Sequence, residues 1–192
     1  MQLLEDRIRR EGKVLPGSII KVDGFLNHRV DTKLLEALAD EFARRFDLSR
    51  VTLVLTAEAS GIALATVCAQ RYGLPLLFAK KAKSDNIEGG LYRSEVFSYT
   101  YKKKFTMIVS QEWLSADDHV LIIDDFMAKG NAMQGLIDLV NAAGATLEGI
   151  GVAVEKGFQG GGDALRAAGL PYEALAVIEQ ADENGIIFRE ED

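Results

Sequence analysis

Apolar and polar positions repeat along this chain in two periods, near 3.6 residues and near 2, and the switches between them mark its elements. From Gln2 to Glu11, Leu3, Leu4 and Ile8 share one side of a charged helix that Gly12 ends. Ile19, Ile20 and Val22 predict a strand, Asp23-Gly24 a turn, and Phe25 to Val30 a returning hairpin partner outside the main sheet. Asp31 then caps a helix running through Phe46, with Leu34, Leu35, Leu38, Ala39 and Phe42 as its core stripe. Beyond it strand and helix alternate. Strands are expected at Val51–Leu55, Leu76–Lys80, Thr106–Ser110, Val120–Ile123, Thr146–Val154 and Tyr172–Glu179, with Ile186 and Ile187 as a last edge strand. Helices are expected at Gly61–Tyr72, at Ala132–Ala143, where Met133, Leu136, Ile137 and Val140 form a stripe, and at Gly162–Ala168. This alternation predicts an α/β fold, a central, mainly parallel sheet flanked by helices, in a single domain over residues 1–192.

One stretch breaks the rhythm. Between Lys80 and Phe105 the chain is rich in lysine, glycine and tyrosine without a continuous core pattern, so it reads either as a mobile lid or as a solvated basic hairpin with Tyr92, Phe97, Tyr99 and Tyr101 partly packed.

Composition narrows the class. With 192 residues and 48% hydrophobic content the chain can bury one substantial core. Its net charge of −7 argues against a protein built to grip nucleic acid, so no nucleic-acid partner is expected. Cys68 is the single cysteine, and its neighbours Ala65, Val67 and Ala69 suggest a buried structural thiol. His28 and His119 lie far apart, so no dedicated transition-metal site is expected and any metal arrives with a substrate. The N-terminus mixes charges into every turn, unlike a signal peptide, and no run reaches membrane-spanning length; a cytoplasmic location without membrane association is the expectation.

The candidate chemistry sits at predicted strand ends, where ligands of open α/β sheets bind. In VLIIDDFMAKGNAM, Val120 to Met133, Asp124 and Asp125 follow a buried strand and precede a turn into a helix. Backbone N–H groups collect around Lys129 to Ala132, where the helix dipole favours a phosphate and Gly130, lacking a Cβ, admits close approach. The two carboxylates one turn away suit ribose hydroxyls. After Val51–Leu55, the small residues of Thr56-Ala57-Glu58-Ala59-Ser60-Gly61 form either a second anion-facing loop or an ordinary connection, with Lys80 and Lys81 at the next strand end as local cations or a solvated face. Glu155 and Lys156 end a third strand beside the glycine-rich turn Gly157 to Gly162, where Lys156 reads as a base-facing ammonium or an exposed lysine.

The segment Val120 to Met133 resembles the phosphoribosyl diphosphate (PRPP) motif of the type I phosphoribosyltransferases: hydrophobic strand, two acids, variable residues, small phosphate loop. The loop departs from the commonest form, having Ala128, Lys129, Gly130, Asn131 and Ala132 where hydroxyl residues and a second glycine are usual, which leaves more of the phosphate binding to backbone amides and the Asn131 side chain. Ala57, Glu58, Ala59 and Ser60 resemble the pyrophosphate loop of the same family. IIKVDGFLNHRVD, AKGNA and VEKGFQGGGDAL together are similar to one branch, the bacterial xanthine phosphoribosyltransferases, over nearly the whole chain. That resemblance implies a small hood, formed mainly by about residues 1–30 and C-terminal residues, over a base pocket with Ile20, Asn27 and Lys156. It implies Asp124 and Asp125 as the catalytic acids, Mg2+ bound with PRPP and no direct protein ligand required for it. It also implies xanthine and PRPP as substrates, and a homodimer. Guanine or hypoxanthine as acceptor, and a non-catalytic PRPP- or purine-sensing regulator, are the alternatives.

Overall fold

The computed structural model describes residues 1–82, 90–98, 103–183 and 185–190. Helix α1 (Gln2–Glu11) is followed by a small antiparallel hairpin, β1 (Lys13–Leu15) and β2 (Ile19–Lys21), paired from Lys13↔Lys21 to Leu15↔Ile19. Here the structure corrects the sequence expectation. The partner of Ile19–Lys21 lies before it, because Gly17 (φ 82°) and Ser18 (φ 55°) take the positive dihedrals that a tight hairpin turn needs. Phe25 to Asn27 instead belong to a wide helical turn over Asp23–Asn27, with Phe25 and Leu26 buried.

Helix α2 (Thr32–Arg45) starts where Asp31 accepts a hydrogen bond from the Leu34 amide at 3.2 Å, a cap contributing about 1 kcal/mol. The elements β3 (Leu53–Ala57), α3 (Gly61–Tyr72) and β4 (Leu76–Ala82) form the first parallel unit. Then come β5 (Leu91–Ser98), β6 (Lys103–Ser110), β7 (His119–Met127), α4 (Asn131–Ala143), β8 (Thr146–Lys156), α5 (Gly161–Ala167), β9 (Tyr172–Asp182) and β10 (Gly185–Phe188). The eight-stranded sheet has the order β10-β9-β8-β7-β3-β4-β6-β5. Its centre, from β9 through β4, is parallel; β10 and the β6–β5 pair add antiparallel margins.

Two apolar layers hold the sheet. On one face α1, α2 and α3 bury Leu4, Ile8, Leu35, Leu38, Phe42, Leu64 and Cys68 against Val54, Leu121, Ile123 and Leu175. On the other, α4 and α5 bury Met133, Leu136, Val140 and Leu165 against Leu55, Ile122, Ile150 and Val152. Burial pushes the Cys68 thiol up to about 12, so it stays protonated, as a structural residue should.

In its described part the charged stretch after Lys80 forms paired antiparallel strands, as the hairpin reading expected. Leu91–Ser98 and Lys103–Ser110 form a ladder against β4, with Tyr92, Ser94 and Val96 toward α4 and Arg93, Glu95 and Phe97 outward. This is a period of two, hidden in the sequence because the solvent face interleaves charges with an exposed Phe97. Residues 83–89 and 99–102, with Tyr99 and Tyr101, lie outside the described residues.

The chain direction reverses its progress through the sheet between β3 and β7: from β3 it moves by α3 to β4 on one side, and from β7 by α4 to β8 on the other. Such a switch point leaves a crevice beyond the carboxyl ends of the two strands. Two of the three sequence-predicted loops open into it, those following β3 and β7.

Candidate active site

β7 runs to Met127, four residues past the predicted end, so Asp124 and Asp125 lie within the pairing with β8 rather than beyond it. Both are nearly enclosed, 8% and 4% exposed. Asp124 accepts the Asp125 amide at 2.9 Å. Burial first, and then the neighbouring Asp125 carboxylate, push the Asp124 carboxyl well above the usual carboxylate range; the Lys81 charge opposes this only weakly. Lys81 stands over the Phe105 ring, 5.4 Å from its centroid, and Lys80 is exposed.

Asp125 is the meeting point of the site. One carboxylate oxygen accepts the Asn27 side-chain amide at 2.8 Å, and the other accepts the Ser60 hydroxyl at 3.0 Å. Residues from the N-terminal turn, the loop after β3 and the acid pair, predicted separately, therefore touch. In that loop Ala57 ends β3. Glu58 binds back to β4, its amide donating to the Ala79 carbonyl at 3.0 Å and its carboxylate accepting the Lys81 amide. Ala59 and Ser60 are exposed. Gly61 is required by closeness: a Cβ there would land on an Asp124 carboxylate oxygen and the Thr56 hydroxyl. The Thr56 hydroxyl itself is fully buried and has no hydrogen-bond partner among the described residues.

In the phosphate loop Gly130 takes φ 87° and caps α4, and the Gly130 carbonyl accepts the Gln134 amide at 2.8 Å. The first turn of α4 leaves amides of Asn131 and Ala132 without intrahelical partners, as a helix N-terminus does. The Asn131 side-chain amide donates to the Phe97 carbonyl at 2.7 Å, tying β5 to the loop. Ala128 is braced from behind, its carbonyl accepting the Gly161 amide at 3.1 Å. Lys129 is exposed.

Lys156 lies in the last position of β8, half-buried, with its ammonium 5.7 Å from the centroid of the Phe126 ring. Burial lowers its pKa. Ile20 is 7% exposed and packs in the buried cluster with Val22, Phe25 and Leu26. Of the three base-pocket candidates, the structure thus bonds Asn27 to the acid pair, holds the Lys156 ammonium over the Phe126 ring and gives Ile20 a core environment. Among the described residues no group of three or more His, Cys, Asp or Glu side chains could hold a metal ion.

A crevice at a switch point, an amide-rich loop at a helix start and a carboxylate pair beside it can hold a phosphorylated sugar by both ends. The sequence profile described as Phosphoribosyl transferase domain matches residues 26–161, which span β3 through the start of α5 and hence every loop of the crevice. Curated relatives similar to this chain include the xanthine phosphoribosyltransferase of Bifidobacterium longum, 53% identical, covering 98% of this chain and 100% of its own. The xanthine phosphoribosyltransferase of Lachnoclostridium phytofermentans is 48% identical, covering 98% of each. Among solved structures, an adenine phosphoribosyltransferase of Giardia lamblia complexed with 9-deazaadenine superposes with a TM-score of 0.75 over 91% of this chain and 96% of that one. One from Trypanosoma brucei does so with 0.74 over 91% and 78%. At 21% and 22% identity these two speak for the fold alone. The chain belongs to the phosphoribosyltransferase family, in the company of bacterial members named xanthine phosphoribosyltransferases.

Proposed function

We propose that this phosphoribosyltransferase joins xanthine to the 5-phosphoribosyl group of PRPP, releasing pyrophosphate and giving xanthosine 5′-monophosphate in purine salvage. The observation that carries the reading is the bond from Asn27 to Asp125. It sets an amide able to read an oxopurine edge beside the acid that the family motif assigns to ribose. Lys156, half-buried against Phe126, is suited to donate to a second carbonyl oxygen. Xanthine offers two such oxygens and adenine none. Ile20 would contribute apolar surface under a hood made by α1, the β1–β2 hairpin and the turn at 23–27, steadied by the terminal Met1 amine on the Leu175 carbonyl at 2.5 Å.

In this reading the amides around Gly130 and Asn131 bind the 5′-phosphate and the loop of Ala57, Glu58, Ala59 and Ser60 receives the diphosphate. The ribose hydroxyls displace Asn27 and Ser60 from Asp125, freeing the first for the base and the second for the leaving group. The bond from C1 to the diphosphate oxygen breaks ahead of attack by the xanthine ring nitrogen, whose proton passes to the departing diphosphate or to water as the new bond forms. The carboxylate charge of Asp125, with Asp124 behind it, then opposes the positive charge developing on the ribose. The residues suit a magnesium ion carried by the substrate, a hard cation that keeps several waters and would take diphosphate and ribose oxygens, with Asp125 kept for the hydroxyls. When bound, the ion would neutralise the diphosphate as it leaves.

A homodimer belongs to the same proposal, and sedimentation at micromolar concentration tests it. No described helix is long and apolar enough to cross a membrane. The substrate reading is tested by offering equimolar xanthine, guanine, hypoxanthine and adenine with Mg2+ and PRPP and identifying the nucleotide formed. Xanthosine 5′-monophosphate as the main product supports it. Guanosine or inosine monophosphate would transfer the assignment to the other oxopurines, and no nucleotide from any base would favour a regulator.

A further inference from the structure

Behind the phosphate loop lies a buried charged cluster that the transfer reaction does not touch. Glu155, in β8, is fully buried. Its carboxylate accepts two hydrogen bonds from Arg166 of α5, at 3.1 and 2.5 Å, and a third from the Tyr172 hydroxyl of β9 at 3.0 Å. Arg166 also lies over the Tyr172 ring, 4.9 Å from its centroid. A second layer extends outward. Asp163 accepts Arg166 at 2.8 Å and Arg189 at 3.0 Å, and Arg189 donates in turn to Glu179. Charge inside a protein is a costly way to hold elements together, since apolar residues of the same volume often do so as well; what a bidentate pair adds is a fixed geometry.

Two successive glycines show what that geometry serves. A Cβ on Gly162 would land on the Glu155 carboxylate, and a Cβ on Gly161 would land on the Ala128 carbonyl and crowd the Lys129 and Gly130 backbone. The first turn of α5 is thus wedged between the buried carboxylate and the phosphate loop, and the Gly161 amide bonds the Ala128 carbonyl. On the strand itself, the residue following Glu155 is Lys156, whose side chain leaves toward Phe126 on the opposite side.

We propose that Glu155 is a positioning residue for phosphoribosyl transfer: through Arg166 and Tyr172 it seats α5 so that Gly161 props the phosphate loop, and it fixes the strand end that aims Lys156 at the base. The effect on the loop rests on family membership, and the effect on Lys156 rests on the substrate reading above. Both are carried by one carboxylate.

The test compares wild type with Glu155→Gln, which keeps the shape and removes the charge, and with Tyr172→Phe, which removes one hydrogen bond. Thermal stability, steady-state kinetics and calorimetric titration with Mg–PRPP are measured on each. In Glu155→Gln the KM and Kd for PRPP rise about tenfold or more, the scale on which a displaced positioning group is felt, while kcat changes much less. Tyr172→Phe shifts the same constants in the same direction by a smaller factor, and decides the matter alone where Glu155→Gln fails to fold. A lower melting temperature with unchanged KM and Kd for PRPP would overturn the proposal and leave the cluster a structural one. A wild-type protein that binds PRPP but turns over no xanthine would refute the substrate reading instead, and the Kd comparison would still judge Glu155.

Discussion

At the scale of single residues, the acid pair divides its labour by environment. Asp125 has its charge solvated by Asn27 and Ser60, whereas Asp124 has the Asp125 amide and otherwise burial. A pKa raised above the ordinary 3.8 means that the folded chain holds the proton more tightly than the unfolded one. The stability Asp124 lends is therefore present below that value and lost as pH rises through the folded one. Ionising Asp124 therefore costs the folded chain stability as pH rises above the ordinary value. Asp124→Asn is expected to melt at a higher temperature than wild type at pH 7, with the gap closing as the pH is lowered toward 4, and to lose activity; equal melting temperatures across that range would show the carboxylate is not penalised. Asp125→Asn should instead lower kcat far more than it weakens base binding, as measured by steady-state kinetics against xanthine. For Lys156, burial lowers the pKa, so its ammonium should discharge at lower pH than a free lysine's. The alkaline fall in kcat/KM for the base should then move to higher pH in Lys156→Arg, whose guanidinium keeps its charge. An unmoved limb would remove Lys156 from the pocket.

Elements were legible where one face of a periodic stripe meets a core, and less so where a strand carries the site. The helices at Gly61–Tyr72 and Gln2–Glu11 have the expected bounds, and in the second Leu4 and Ile8 are buried as expected whereas Leu3 is 53% exposed. Strand ends were placed short in β3, β7 and β8, because Thr56, Asp124, Asp125, Glu155 and Lys156 are polar and a strand was expected to stop where polarity begins. Their pairing continues because the site needs polar groups held on rigid backbone. The acid pair, the phosphate loop and Lys156 were legible as pieces, but not the bonds that join Asp125 to Asn27 and Ser60, since contacts across 98 and 65 residues leave no local pattern. Nor did the sequence announce why β8 carries Gly149 and Gly151. They receive the rings of Phe46 and Phe42, which stack at 6.3 Å; a Cβ on Gly151 would stand 2.8 Å from the Phe42 ring. Gly151→Val should cost about 1–3 kcal/mol of stability by overpacking, read from chemical denaturation, although valine suits a strand better than glycine does. No loss would mean that α2 packs more loosely on β8 than described.

The whole molecule is arranged so that each crevice loop begins on a strand end and is braced by a different part of the chain. The loop after β3 is tied to β4 through Glu58, the phosphate loop to β5 through Asn131 and to α5 through Gly161, and Asp125 to the N-terminal turn through Asn27. Alternation of strands and helices was enough to foresee the parallel centre of this sheet. At its antiparallel margins, strands were expected at Thr106–Ser110 and Ile186–Ile187, whereas Leu91–Ser98 was foreseen only in the hairpin reading, because its outward face mixes charge with an exposed aromatic. The net charge of −7 leaves binding of a polyanionic substrate to local amides and cations, which the crevice supplies. The central claim is that this crevice transfers phosphoribosyl to xanthine. It is tested most directly by the initial rate of pyrophosphate release from Mg–PRPP with xanthine, guanine, hypoxanthine or adenine supplied separately. Release should be fast with xanthine, slower with the other oxopurines and almost absent with adenine; release that is fastest with adenine would overturn the assignment.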